Sequence, residues 1–189
     1  MNLMRDFMAS REKLTGDWRI KYDDSENLPF LEISDLPVIA GFTGYVKTQS
    51  RKIRKKVFYR GQPKDWDLIP SLFRDDDNIV LDDHRIAQRL SAYKELVKET
   101  KLKYKNVGRF QVADIDPILQ HYGIRTPWID LVDNIFVAIW FAIHKFEKES
   151  NGISRCKPSS EKFGWIYYFQ VSDDIKYYDL RENYISLSL

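Results

Sequence analysis

Apolar positions along the chain follow two periods, and the elements can be read from them. Trp18, Ile20 and Tyr22 alternate with Arg19 and Lys21, which predicts a short strand. From Leu28 to Thr43 two prolines interrupt two apolar clusters, a pattern open to strand, loop or short helix. Val57 and Tyr59 fall on one face of a strand and Phe58 and Arg60 on the other, with Gly61, Gln62 and Pro63 ending it. Trp66 to Arg74 predicts a loop or short helical turn, and the acidic stretch Asp75 to Asp83 a solvated surface. The clearest helix runs from about His84 to Lys103, where Ile86, Leu90, Tyr93 and Val97 form one apolar stripe and Asp82 or Asp83 caps the start. A second helix opens at Asp116–Pro117, with Asp as N-cap and Pro in the first turn, and Gly123 stands where a glycine would end it. A third starts at Asp133 or Asn134. Its run Ile135 to Ile143 is apolar all round, which predicts burial on every side. The polar stretch Lys145 to Ser159 predicts a loop, and Trp165 to Val171 a core strand rich in aromatic and β-branched residues. Ile175 to Leu189 predicts one more strand. Ser186 to Leu189 form no closing element, so a C-terminal segment carried by related proteins is expected to be lacking.

This order of elements predicts an α+β fold: a small twisted mixed sheet flanked by helices. Residues 1–50 are read as an N-terminal extension packed on a domain spanning residues 51–189. The length of 189 residues suits one domain. An aromatic content of 14% excludes a disordered chain, because such side chains supply large buried area.

Charge and motif content narrow the function classes. Thirty Lys and Arg against 28 Asp and Glu leave +2, which excludes a global polycation. One cysteine, Cys156, excludes an internal disulfide and a multi-cysteine zinc site. His84, His121 and His144 show no metal-ligand spacing, so no metal is expected. Neither a glycine-rich phosphate loop nor a nucleophile elbow is present. With no apolar run long enough to span a bilayer and no leader pattern, a cytoplasmic protein without a membrane partner is expected.

Two segments concentrate chemistry. In Phe58 to Gln62 an Arg at a strand end precedes a Gly, so a cation stands beside accessible backbone, an arrangement suited to phosphate. The structural reading of the same residues is an Arg60 paired at the core edge and a Gly61 that turns the chain. The second segment, Leu119 to Ala142, gathers His121, Tyr122, Thr126, Trp128 and Asp130 between two helices. Taken separately, these too have structural readings: Asp130 as a cap, Thr126 as a backbone-bonding hydroxyl, His121 as a core-edge histidine. A third feature, the six cations from Lys47 to Lys56, suits nucleic-acid phosphates or a solvated face.

Together the first two segments resemble the FRG domain family, named for its Phe/Tyr-Arg-Gly motif. That motif is Tyr59-Arg60-Gly61 here, followed by Leu68-Ile69-Pro70-Ser71-Leu72-Phe73-Arg74. The family's next element appears as Gln120, His121, Gly123, Thr126 and Asp130, then a helix carrying Val137, Ala138, Phe141 and Ala142. The resemblance covers about residues 57–171. Where family members usually carry Thr-Arg-Leu-Leu-Asp, this chain reads Thr126-Pro127-Trp128-Ile129-Asp130, and Arg125 is the residue able to take the lost arginine's role.

The family layout is similar in turn to ADP-ribosyltransferases of the Arg-Ser-Glu type. That resemblance implies an NAD-using toxin or defence effector, with NAD as substrate. Tyr59, Arg60, Gly61 and Gln62 would bind NAD, Arg60 at its phosphates, and His121, Thr126 and Asp130 would serve catalysis, Thr126 near the nicotinamide ribose. A carboxylate should stabilise the oxocarbenium-like centre. After the Trp165 strand the only glutamate is Glu182, in no matching context, so Asp130 is the alternative. The partners implied are a protein or nucleic-acid acceptor and an antitoxin or other partner protein. A second expectation is a non-catalytic module for a nucleotide or nucleic acid, with Lys47–Lys56 on its rim. A third is an interaction domain whose aromatic residues cover a partner.

Overall fold

The computed structural model describes residues 18–22, 29–104, 115–148 and 154–172. The expected strand within 175–189 lies outside them. The chain divides into two compact units, one holding the described residues up to Lys64 and from Leu131, the other holding Asp65–Asp130.

In the first unit, strand β1 (Trp18–Tyr22) pairs antiparallel with β2 (Pro29–Ile33). Helix α1 (Leu36–Lys52) follows, with Pro37 in its first turn, where the missing N–H removes no helical bond. It ends in a turn at Ile53 and Arg54, the latter at φ 53°. Strand β3 (Lys55–Gln62) pairs antiparallel with β6 (Trp165–Ser172), Tyr59 opposite Tyr168 and Gly61 opposite Ile166. Helix α4 (Ile135–Ile143; α2, Asp83–Tyr104, and α3, Ile115–His121, belong to the second unit) lies across β3. Asn134 caps it by accepting from the Phe136 N–H at 2.9 Å. Phe42 and Val46 of α1, Val57 and Tyr59 of β3, and Ile135 and Ala138 of α4 form the core. Tyr168 is edge-on to both Phe42 and Tyr59 at centroid distances of 5.2 and 5.0 Å.

Two expectations are corrected here. The polar stretch after α4 is not a loop: β4 (His144–Lys148) pairs antiparallel with β5 (Ser154–Pro158). Main-chain bonds and the Lys145–Glu147–Lys157 ion pairs, at 2.7 and 3.0 Å, hold these strands without an apolar pattern. Helix α4 is apolar all round but buries only Ile135, Ala138 and Ala142, leaving Phe136, Trp140, Phe141 and Ile143 exposed. A nine-residue helix on a two-stranded ladder can press one side against it and no more.

In the second unit, a 3-10 turn (Ser71–Phe73) precedes α2 (Asp83–Tyr104) and α3 (Ile115–His121). Asp82 caps α2 by accepting from the Arg85 N–H at 2.9 Å, which lowers its pKa. Gly123, at φ 80°, ends α3: its N–H reaches the Gln120 carbonyl and the Ile124 N–H the Leu119 carbonyl, each at 2.9 Å. The expected capping role of Asp116 is not observed. Its carboxylate accepts from Tyr93 Oη at 2.5 Å and Trp128 Nε1 at 3.1 Å, fastening α2 and the following loop to α3. Leu72, Leu81, Ile115, Leu119 and Thr126 are buried.

The α+β expectation holds. The strands form antiparallel pairs among the described residues rather than one mixed sheet. Among those residues no helix is long and apolar enough to cross a membrane.

Candidate functional site

Strand alternation sorts the motif residues of β3. Val57, Tyr59 and Gly61 face α4 and the core, while Arg60 and Gln62 share the opposite face. Tyr59 is fully buried, and its N–H and C=O both bond Val132, at 2.7 and 2.8 Å. The Lys47 ammonium stands 5.5 Å from its ring centroid. The Tyr59 hydroxyl is buried without a hydrogen-bond partner among the described residues. Burial raises its pKa above the ordinary tyrosine value, with Tyr168 and Asp133 adding to the shift.

Gly61 faces backbone. A Cβ placed there would lie 2.7 Å from the Ala138 carbonyl carbon and 2.8 Å from the Ala142 nitrogen. The close approach expected of this glycine is therefore made by α4. Gly164 repeats the contact, its would-be Cβ 2.9 Å from the Ala142 methyl. The other face carries polar chemistry. Arg60 is half-buried, and its Nε donates to the Oε1 of the buried Gln62 at 2.9 Å, which fixes the plane of the guanidinium.

The second segment belongs to the other unit. His121 closes α3, and its side chain is not among those described. Thr126 is fully buried. Its Oγ1 donates to Gln120 Oε1 at 2.7 Å and accepts from the Trp128 N–H at 3.4 Å. Its N–H donates to Ser71 Oγ at 3.2 Å, and its carbonyl accepts from the Leu72 N–H at 3.2 Å. Thr126 thus ties the Pro70–Arg74 element to the Gln120–Asp130 element. Asp130 is exposed. Arg125 extends the tie: its Nη1 donates to the Arg74 carbonyl at 2.8 Å, and its Nη2 pairs with Asp76 at 2.6 Å.

Arg60 therefore belongs to one unit and His121, Thr126 and Asp130 to the other, each placed by its own neighbours. The sequence had marked Ser71 and Gln120 as motif positions without a role, and they turn out to be the partners of Thr126. Their signal was co-occurrence with Thr126 in one ordered pattern. Arg89, on α2, carried no motif signal, yet its Nη1 donates to the same Arg74 carbonyl at 2.8 Å. Among the described residues no three His, Cys, Asp or Glu side chains cluster as metal ligands would.

The family model described as FRG domain matches residues 55–151. The chain belongs to the FRG domain family. The match opens at the first residue of β3 and takes in the Ser71–Arg74 turn, the Gln120–Asp130 segment and α4, so the ordered motifs of the FRG domain coincide with the elements just described. No curated protein and no solved structure shows significant similarity to the chain.

Proposed function

We propose that this FRG domain binds NAD through Arg60 and transfers its ADP-ribosyl group to a protein or nucleic-acid acceptor. The observation that supports the reading is the Arg60–Gln62 bond at the end of β3. A guanidinium whose plane is fixed on a strand can meet phosphate oxygens in a set orientation, with two parallel N–H donors. In the reaction the bond between nicotinamide and ribose breaks, nicotinamide leaves, an acceptor nucleophile bonds the anomeric carbon, and the acceptor's proton is released. The Thr126 hydroxyl is committed to Gln120, so in this reading it shapes the turn that carries Asp130 and does not touch the substrate.

Calorimetry of NAD binding to the native protein and to Arg60→Ala tests the first half. Affinity should fall at least about tenfold with the fold retained; unchanged affinity overturns the reading. Mass spectrometry of cell extract incubated with protein and NAD tests the second half, through an ADP-ribose adduct and free nicotinamide. The burial of Thr126 favours a second reading, a nucleotide-binding module without catalysis, since the hydroxyl expected near the ribose is sealed. NAD binding with no nicotinamide release selects that one. A toxin or defence role extends the first reading, if the acceptor modified is one that growth requires. Growth arrest on expression, relieved by Arg60→Ala, is the expected result.

A further inference from the structure

The second unit gathers three arginines from three separate elements. Arg74 follows the 3-10 turn, Arg89 lies on α2, and Arg125 lies in the loop after α3. Arg89 Nη1 and Arg125 Nη1 both donate to the Arg74 carbonyl, each at 2.8 Å, and reach further to the carbonyls of Leu72 and Ser71 at 3.4 Å. Among the described residues Arg74 itself donates only its Nε, to the Ile69 carbonyl at 3.0 Å. Its pKa is lowered by burial first and by the neighbouring Arg125 second. Like charges brought together in a half-buried place repel, and unpaired donors there lose solvation.

Carboxylates offset them only in part: Asp76 and Asp75 act against the shift of Arg74, more weakly than burial and Arg125. Among the described residues one carboxylate, Asp76, pairs with the trio, through Arg125, and its side chain is 94% exposed. Asp75 Oδ1 accepts from the N–H groups of Asp77 and Ile79 at 3.0 and 2.8 Å, and the Asp75 charge reaches Arg74 without a hydrogen bond to it. The two Nη nitrogens of Arg74, and the Nε and Nη2 of Arg89, make no hydrogen bond among the described residues.

We propose that Arg74, Arg89 and Arg125 form a binding site for a phosphate group of a small nucleotide, separate from Arg60. Planar guanidinium forks match phosphate oxygens, and a dianion would relieve the repulsion between Arg74 and Arg125. A small ligand is favoured over a nucleic-acid strand. The acidic run Asp75, Asp76 and Asp77 flanks the cluster and repels successive backbone phosphates, while one compact anion has to displace only the exposed Asp76 from Arg125.

The test is calorimetry on the full chain at low salt, with inorganic pyrophosphate and ADP as probes. Both should bind, ADP at least as tightly. Arg74→Lys, which keeps the charge and removes the fork, should weaken both about tenfold. Asp76→Asn is exposed and safe for folding, and it should tighten both about threefold by removing the competing carboxylate. In an Arg60→Ala background, where the site proposed on β3 is removed, pyrophosphate should still bind and Arg74→Lys should still weaken it about tenfold, which separates the two sites. Binding of neither probe, or pyrophosphate binding lost with Arg60→Ala, overturns the proposal. So does Asp76→Asn binding less tightly than the native protein. Pyrophosphate binding without ADP binding overturns the nucleotide assignment.

Discussion

The backbone of Ala138 fills the space in which a side chain at Gly61 would begin. The glycine of the Phe/Tyr-Arg-Gly motif is therefore what lets α4 sit directly on β3. Gly61→Ala should destabilise the protein by about 1–3 kcal/mol, because the obstacle is backbone and cannot swing aside. Gly41, inside α1 with open space around it, is the matched control. Gly41→Ala should stabilise by about 0.5–1 kcal/mol through helix propensity alone. Denaturant melts of the two variants check whether the same substitution takes opposite signs.

Tyr59 presents a different situation, since its hydroxyl is buried and unbonded among the described residues. Tyr59→Phe keeps the ring against Tyr168 and removes the orphaned group. It should raise stability by about 1 kcal/mol. A loss of stability would mean the hydroxyl has a partner after all. Chemical denaturation with the slope held constant is the measurement.

Thr126→Val preserves volume but deletes the hydroxyl shared by Gln120 and Trp128. The half-buried Gln120 oxygen then loses its donor, and stability should drop by about 1–2 kcal/mol. Thr126→Ser restores the hydroxyl and should recover part of that loss. Amide exchange along residues 115–130 should rise in the Val variant and much less in the Ser variant.

The β4–β5 hairpin should respond to acid. Lys145 and then Lys157 hold the Glu147 carboxyl down to about 2, below its ordinary 4.5. A carboxylate with a lowered folded pKa contributes stability above 4.5 and loses it as pH falls toward 2. Amide exchange in the hairpin should therefore quicken across that window. Glu147→Gln should abolish this pH dependence. The group is solvent-exposed, so salt should shrink the effect.

Local chemistry made several features legible in the chain alone. The Val57/Tyr59 alternation, the left-handed Gly123 that closes α3 and the Asn134 cap all appear where residue type demanded them. Each depends on neighbours a few positions away, and conformational preference acts over that range. The family too was legible, because its motif residues stand in order.

Other features depended on what distant segments bring together. The polar strands β4 and β5 carry no apolar period, and their order comes from each other. Asp116 has the makings of a cap, but Tyr93 and Trp128 claim its carboxylate. Gly61 reads equally as a turn, a ligand contact or a packing site until α4 is laid across it. The convergence of Arg89 and Arg125 on one carbonyl has no counterpart in local sequence. Residue chemistry thus determined β1, β3, β6, α2, α3, α4 and the family, but not α1, β4 or β5. Which polar groups meet was decided by tertiary structure, because hydrogen bonds and charge pairs depend on separations of a few ångströms that only packing sets.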